Sequence, residues 1–352
     1  MTYSMKYIFP MVKAFGQKGK SLPRKLLEDL TVSSSLEDLV NTLRMTHYDA
    51  ELSQVAKPYS ADNIELALRE HMIRYHYNIM ISTVDRLGTD LIFAYFRSHL
   101  SKNLKIVLRG KARELSQDKM LGLINLFSEE LIGRRNIVVE AMAARDLSEA
   151  VDLLKDSEFG EECARAMIDY EQNKNINVFD AYLDKAYYLQ IAKAFSALRK
   201  RRKACQGIVV RELDTYNILA ILRGKSWGLT PSMIDGLIVH VAHGLSSDIL
   251  DGLISAESVS DGISLLKGTY YSDSDNAASD EKDVVQGIER NYEKMVYREA
   301  SKPFLRNAKS LGTVLGSVKL LEMEVRNLSK IAYAVENRTP KDLTLSSLTF
   351  LN

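Results

Sequence analysis

Gly224, Lys225 and Ser226 close the stretch NILAILRGKSWGLTP (217–231), and GKS is the tail of a phosphate-binding loop. That chemistry needs a second glycine five residues before the first, so that backbone N–H groups can wrap the phosphates. Leu219 stands there instead. A second copy, NLKIVLRGKARELSQ (103–117), has Lys105 at the same distance before Gly110. Ala220, Ile221, Leu222 and Arg223 suit a helix better than a loop. Cations in a last turn offset the helix dipole, and glycine accepts a left-handed cap. Both stretches are therefore expected to be helix ends, with the left-handed residue at Gly110 and Gly224, and no nucleotide is expected to bind.

Other chemistry-bearing residues form no set. His240 and His243 share a helical face, but two ligands do not make a zinc site and no HExxH occurs. His71 and His76 lie among tyrosines in HMIRYHYNIM and are expected to pack. With His47 and His99 they suggest no triad with Ser or Cys. Cys163 and Cys205 are the only cysteines, which fits a reducing compartment. The acidic segment SDSDNAASDEKD (272–283) reads as an exposed loop without calcium-loop spacing. The basic run Arg199, Lys200, Arg201, Arg202, Lys203 reads either as a solvated helix end or as a contact for an acidic partner or anionic headgroups. Tyr187 and Tyr188, on an amphipathic stretch, suit core packing or an interface. No catalytic residue, cofactor or metal site is expected.

The elements that carry these residues recur. SLEDLVNTLRMTHY (35–48), DLSEAVDLLKDSEF (146–159) and SVSDGISLLKGTYY (258–271) each open on an N-cap residue: Ser35, Asp146 or Ser258. Each has an acid three residues on, as in a capping box: Asp38, Glu149 or Asp261. A hydroxyl residue follows in each (Thr46, Ser157, Thr269), and an aromatic two positions later (Tyr48, Phe159, Tyr271). A second anchor is Asn103-Leu104, Asn217-Ile218 and Asn327-Leu328. Ser116 and Thr230 are candidate caps beyond the first two anchors, with Thr339-Pro340 one residue early in the third. Acids precede the second and third asparagines (Glu212, Asp214; Glu322, Glu324) and are expected on a charged face, whereas the first copy has Ser98 and Leu100.

Two anchors recurring in one order imply three tandem helical units of about 110 residues. The expected boundaries are 1–115, 116–229 and 230–352, within one all-α body. Six prolines and long 3.6-period stretches agree with helix. A net charge of +1 argues against a dedicated nucleic-acid binder. The N-terminal stretch is broken by Pro10 and its lysines and is not read as a signal peptide. No run approaches a membrane span.

The triple unit, LDKAYY (183–188), RELDTYNILAILRGK (211–225) and LEMEVRNLSKIAYAVENRTP (321–340) resemble the C subunit of archaeal A-type ATP synthases and the d subunit of vacuolar-type ATPases. YIFPMVKAFGQKGK (7–20) is a weaker match, since family members usually begin with a Tyr- and Arg-containing helix. The resemblance implies an all-helical funnel of three similar subdomains with pseudo-threefold symmetry. It implies a non-catalytic central-stalk protein on the cytoplasmic face of the membrane, joining the rotor ring to the central shaft of the ATPase head. Exposed cations near the anchors, Arg109, Lys111, Arg223, Lys225 and the run Arg199, Lys200, Arg201, Arg202, Lys203, are the expected partner contacts. The alternative is a helical scaffold for other protein partners without a rotary role.

Overall fold

The computed structural model describes residues 6–240, 244–269, 271 and 281–350. Among them the chain forms twenty α-helices and no strand, so the protein is all-α. The helices fall into two compact units. One comprises Met1–Thr89, Lys203–Ile208 and Glu293–Asn352, and the other comprises Asp90–Arg202 and Val209–Tyr292.

The first unit is built around the helix Leu311–Glu336. Residues 311–321 are buried on every side; most are apolar, and the polar Thr313, Ser317 and Lys319 among them bond to Asn307, Val314 and Glu322. The helix packs along Ala61–Ser82 and Ile8–Lys20. Its stripe Leu321, Val325, Leu328 and Ile331 enters a core with Leu39, Val40, Leu43, Leu52, Ile64 and Leu68. Burial of each such side chain contributes about 1.5–3 kcal/mol. Pro10 does not break the N-terminal helix. It lies in the first turn of Ile8–Lys20, where its missing N–H removes no intrahelical bond.

The anchor asparagines lie on three helices: Ser98–Ala112, Gln206–Ser226 and Leu311–Glu336. Each asparagine is buried. Its amide closes on both sides of one peptide residue further along the chain. The Asn103 Nδ2 donates to the Asn125 carbonyl at 2.7 Å, and the Asn125 N–H donates back to Oδ1 at 3.4 Å. Asn217 and Val239 make the same pair at 3.1 and 2.9 Å. Asn327 and Thr349 make it at 2.7 and 3.0 Å. The separation is 22 residues in every copy. A primary amide carries the same donor and acceptor as a peptide group, so it satisfies both buried backbone groups at once.

The turn between asparagine and clamped peptide is also shared, and here two expectations are corrected. The left-handed residue is not Gly110 or Gly224. It is Glu114 (φ 54°), Gly228 (φ 70°) and Arg338 (φ 52°), beyond the helix ends. The N–H groups of Leu115, Leu229 and Thr339 then bond the carbonyls of Gly110, Gly224 and Ala334 at 2.9, 3.0 and 2.8 Å. Glu114, Gly228 and Arg338 bond the carbonyls of Lys111, Lys225 and Val335. This is a Schellman motif in each copy. Gly110 and Gly224 are needed for close packing instead: a Cβ would stand 2.4 Å from Met120 Sδ and 2.8 Å from Ile234 Cγ1. The third copy is not early either. Its N-cap is Pro340, in register with Ser116 and Thr230.

The N-cap half of each expected box forms, while the acids turn elsewhere: Asp38 and Asp261 accept from serine hydroxyls and Glu149 from the Arg145 N–H. Ser35, Asp146 and Ser258 accept from the N–H groups of Asp38, Glu149 and Asp261 at 3.2, 2.9 and 3.1 Å. The hydroxyls of Thr46, Ser157 and Thr269 accept from the N–H groups of Tyr48, Phe159 and Tyr271, which turns each aromatic into the interior. The expected loop 272–283 is different at its end, because a helix Glu281–Arg306 starts within it; residues 272–280 lie outside the described set.

The clamp has a measurable weight. Asn217→Ala leaves a buried N–H and a buried carbonyl at Val239 without partners, and is expected to cost about 2–4 kcal/mol. Asn337→Ala, which removes an exposed amide, is expected to cost under about 0.5 kcal/mol. Urea midpoints of the two variants check this, and equal midpoints would contradict it.

Candidate partner-binding surface

The nine candidate cations occupy different settings. Arg199, Lys200, Arg201, Arg202 and Lys203 form an exposed 3-10 turn, Arg199–Ala204, rather than the end of an α-helix. Arg199 is held at φ 51°. Arg109, half-buried, pairs with Asp180 at 3.2 Å, beside a second pair, Lys105 with Asp184 at 2.5 Å. Burial raises the Asp180 carboxyl above its usual value, against the pull of Lys105 and Arg109. Arg223 is exposed and pairs with Glu289.

Lys111 and Lys225 point inward. Lys111 donates to the carbonyl of Ala144, and Lys225 to those of Ile254, at 2.8 Å, and Ala256. Ala144 and Ala256 each close a helix just before a capping box. The two lysines therefore fasten a helix end to the box that follows it in the chain. Desolvation lowers the Lys225 ammonium pKa. The third copy has Val335 in this place, lining a cleft with Ser35 of the first box.

Three of the four acids before the anchors, expected on a charged face, are buried: Glu212, Asp214 and Glu324 are each under 5% exposed, whereas Glu322 is half-buried and pairs with Lys319 at 2.9 Å. Asp214 and Glu324 meet the aromatics of the boxes. The Tyr271 hydroxyl donates to Asp214 at 3.0 Å, and the Tyr48 hydroxyl to Glu324 at 2.7 Å. The Leu22 N–H donates to the second Glu324 oxygen at 2.7 Å. The first anchor helix and the second box lack this pair, having Leu100 in place of the acid and Phe159 in place of the tyrosine. Glu212 accepts from Tyr292 at 3.0 Å and from Tyr95. Burial raises the Glu324 carboxyl, and burial beside that carboxyl raises Tyr48 well above its ordinary value.

The histidines join this interior. His76 is fully buried, and His71 holds Glu51 at 3.0 Å. His47, which the sequence does not set apart from the rest, lies 4.1 Å from the Tyr48 ring and 3.5 Å from Glu324. Burial, with the charges of His71 and Lys20, holds its imidazole down at about 4. His240 pairs with Asp235 at 3.1 Å, and His243 lies outside the described residues. Tyr188 stacks on Tyr216 at 4.3 Å, and Tyr187 is buried, as core packing implies. Gly224, Lys225 and Ser226 lie on a continuous helix with Ser226 bonded to the Leu222 carbonyl.

An all-helical chain with three copies of one clamp and polar joints in its interior is a repeat-built all-α protein. The profile of the ATP synthase (C/AC39) subunit family matches residues 11–346. The chain belongs to that family. It is 25% identical to the A-type ATP synthase C subunit of Methanocaldococcus jannaschii, over 96% of this chain and 85% of that one. It is also 25% identical to the C subunit of Methanosphaera stadtmanae (93% and 83% covered) and 23% identical to that of Thermococcus kodakarensis (92% and 84%). Among the described residues no helix is long and apolar enough to cross a membrane.

The His47 environment sets a pH dependence. In the unfolded chain this imidazole takes a proton near pH 6.5, but in the fold only at about 4. Its contribution is thus fully present above pH 6.5 and is lost as pH falls toward 4. Between pH 7 and 4 the protein is expected to lose about 2–3 kcal/mol more stability than His47→Gln. Denaturant melts at both pH values decide this, and parallel losses would contradict it.

Proposed function

We propose that this chain is a non-catalytic central-stalk subunit of an A/V-type rotary ATPase or ATP synthase. In this reading it lies peripherally on the cytoplasmic face of the membrane. It joins the shaft of the ATPase head to the rotor ring during ATP-linked proton or sodium transport. The observation that supports this most is the threefold recurrence of one clamp within a chain of this family.

A part that transmits torque must hold two separated contacts at a fixed geometry. Packed helices are stiff along their axes, and each clamp fixes the segment that leaves the helix end. We read the clamp, turn and following box as three modules, the physical counterpart of the three expected domains. Each expected boundary, 115/116 and 229/230, falls between an asparagine and the peptide it clamps.

In this reading the exposed run 199–203 is the main electrostatic contact with partner proteins, and Arg109 and Arg223 contribute less. Lys111 and Lys225 act indirectly, by holding the modules that present those contacts. A scaffold without a rotary role shares the modules but needs no membrane ring.

The test is recovery of partners from gently solubilised membranes with tagged protein. A small, very hydrophobic ring protein together with shaft and head proteins is expected. Arg199→Glu/Arg201→Glu/Lys203→Glu is expected to reduce that recovery several-fold and steepen its salt dependence. Soluble partners alone, with the ring intact in the input, would favour the scaffold. Nucleotide titration of the purified chain is expected to show no binding, and saturable binding would overturn the non-catalytic reading.

A further inference from the structure

The N-terminal helix Ile8–Lys20 buries only part of its surface. Tyr7, Pro10, Ala14 and Gln17 face the unit, while Ile8 (42% exposed), Phe9 (61%), Val12 (59%) and Phe15 (41%) face outward. At 100° per residue these four residues, with Gly16 and Gly19, span an arc of about 120°. Both glycines look into open space. The stripe continues beyond the helix. The Tyr7 hydroxyl bonds Asp85 at 2.9 Å and Lys13 bonds Ser82 at 2.6 Å, which places exposed Ile81 (59%) and Val84 (68%) beside its start. At its other end Phe15 meets Phe304 edge-on at 5.1 Å, next to Leu305, 86% exposed.

The border of this stripe is basic. Lys6, Lys13 and Lys20 recur every seven residues and line one edge; Lys18, 4.4 Å over the Phe304 ring, lies at the other. No Asp or Glu occurs before Glu28 in the sequence. The acids that meet this segment are Asp85, beside Lys6 at 3.4 Å, Glu28, beside Arg24, and the buried Glu324, which accepts from Leu22.

We propose that this face docks on the surface of an anionic phospholipid bilayer. Phe, Ile and Val flanked by lysine is the composition of a helix lying in a membrane interface, where apolar side chains enter the acyl boundary and ammonium groups reach the headgroups. The core of a protein–protein interface is instead depleted of lysine. This face is separate from the ring and shaft contacts proposed above.

The test uses the purified full-length chain, sedimented with vesicles of phosphatidylglycerol in phosphatidylcholine and with phosphatidylcholine alone. Binding is expected on the anionic vesicles and is expected to weaken as salt rises. Phe9→Ser/Val12→Ser should lower it about tenfold. Lys18→Gln and Lys20→Gln should each lower it about fivefold, on anionic vesicles only. All these side chains are at the surface, and unchanged circular dichroism would show that the variants fold. No sedimentation, or equal sedimentation of the variants, would overturn the proposal. A dimer in light scattering that Phe9→Ser/Val12→Ser makes monomeric would assign the face to a second copy. Loss of protein partners in detergent with vesicle binding unchanged would assign it to a protein.

Discussion

A buried peptide group must find a donor and an acceptor, and in this protein three of them find both in one asparagine side chain. That constraint explains much of the local structure. The amide must be buried, so it sits on an apolar stripe beside Leu104, Ile218 or Leu328. The chain must return to the helix at one distance, so the intervening turn has one form. This accounts for the Schellman motif in each copy and for left-handed Glu114 and Arg338 where only the second copy has glycine. A non-glycine residue in that region costs about 1 kcal/mol, and the clamp and turn bonds are enough to hold it.

The second set of joints shows how far the copies can differ. Tyr48 with Glu324 and Tyr271 with Asp214 are hydroxyl–carboxylate pairs in the interior. A buried carboxylate without its donor would be costly, and so would a buried hydroxyl without its acceptor. The first anchor helix and the second box avoid both costs together, with Leu100 in one and Phe159 in the other. The same logic applies to Lys111 and Lys225, which find backbone carbonyls, and to Val335, which needs none.

The repeat, the helical class and the N-caps of the boxes were legible in the sequence because cap chemistry and 3.6-residue periodicity are local. The absence of the upstream glycine likewise marked Ala220–Arg223 as helix rather than a phosphate loop. The left-handed residues were not legible. Position identity there is Glu, Gly and Arg, and only the bonds across the turn fix the conformation. Gly110 and Gly224 drew attention to themselves, yet their role is close approach to Met120 and Ile234, a tertiary fact. Glu324 and Asp214 read as surface charges because sequence period cannot tell a polar face from a buried joint. The signal that would have separated them was the matched change: acid with tyrosine in two pairings of helix and box, leucine with phenylalanine in the remaining one. The fate of Lys111 and Lys225 was invisible for the same reason, since their acceptors are backbone carbonyls that any sequence supplies.

The pairing of boxes with anchor helices has a consequence for how the chain is completed. Lys225 and Asp214 on the second anchor helix reach Ala256 and Tyr271, just before and within the third box, and Lys111 reaches Ala144 just before the second. The first box has no anchor before it. It closes on the last anchor helix, through Tyr48 and Glu324, 276 residues apart. The first unit therefore cannot finish packing until the last anchor helix, Leu311–Glu336, exists. Closing so long a loop carries an entropic cost that grows only slowly with length, whereas it delays folding strongly. What is gained is a chain whose two ends share one core, Leu39, Val40 and Leu43 with Leu328 and Ile331. Tying the first box to the last anchor helix removes the loosest element a linear repeat would otherwise have.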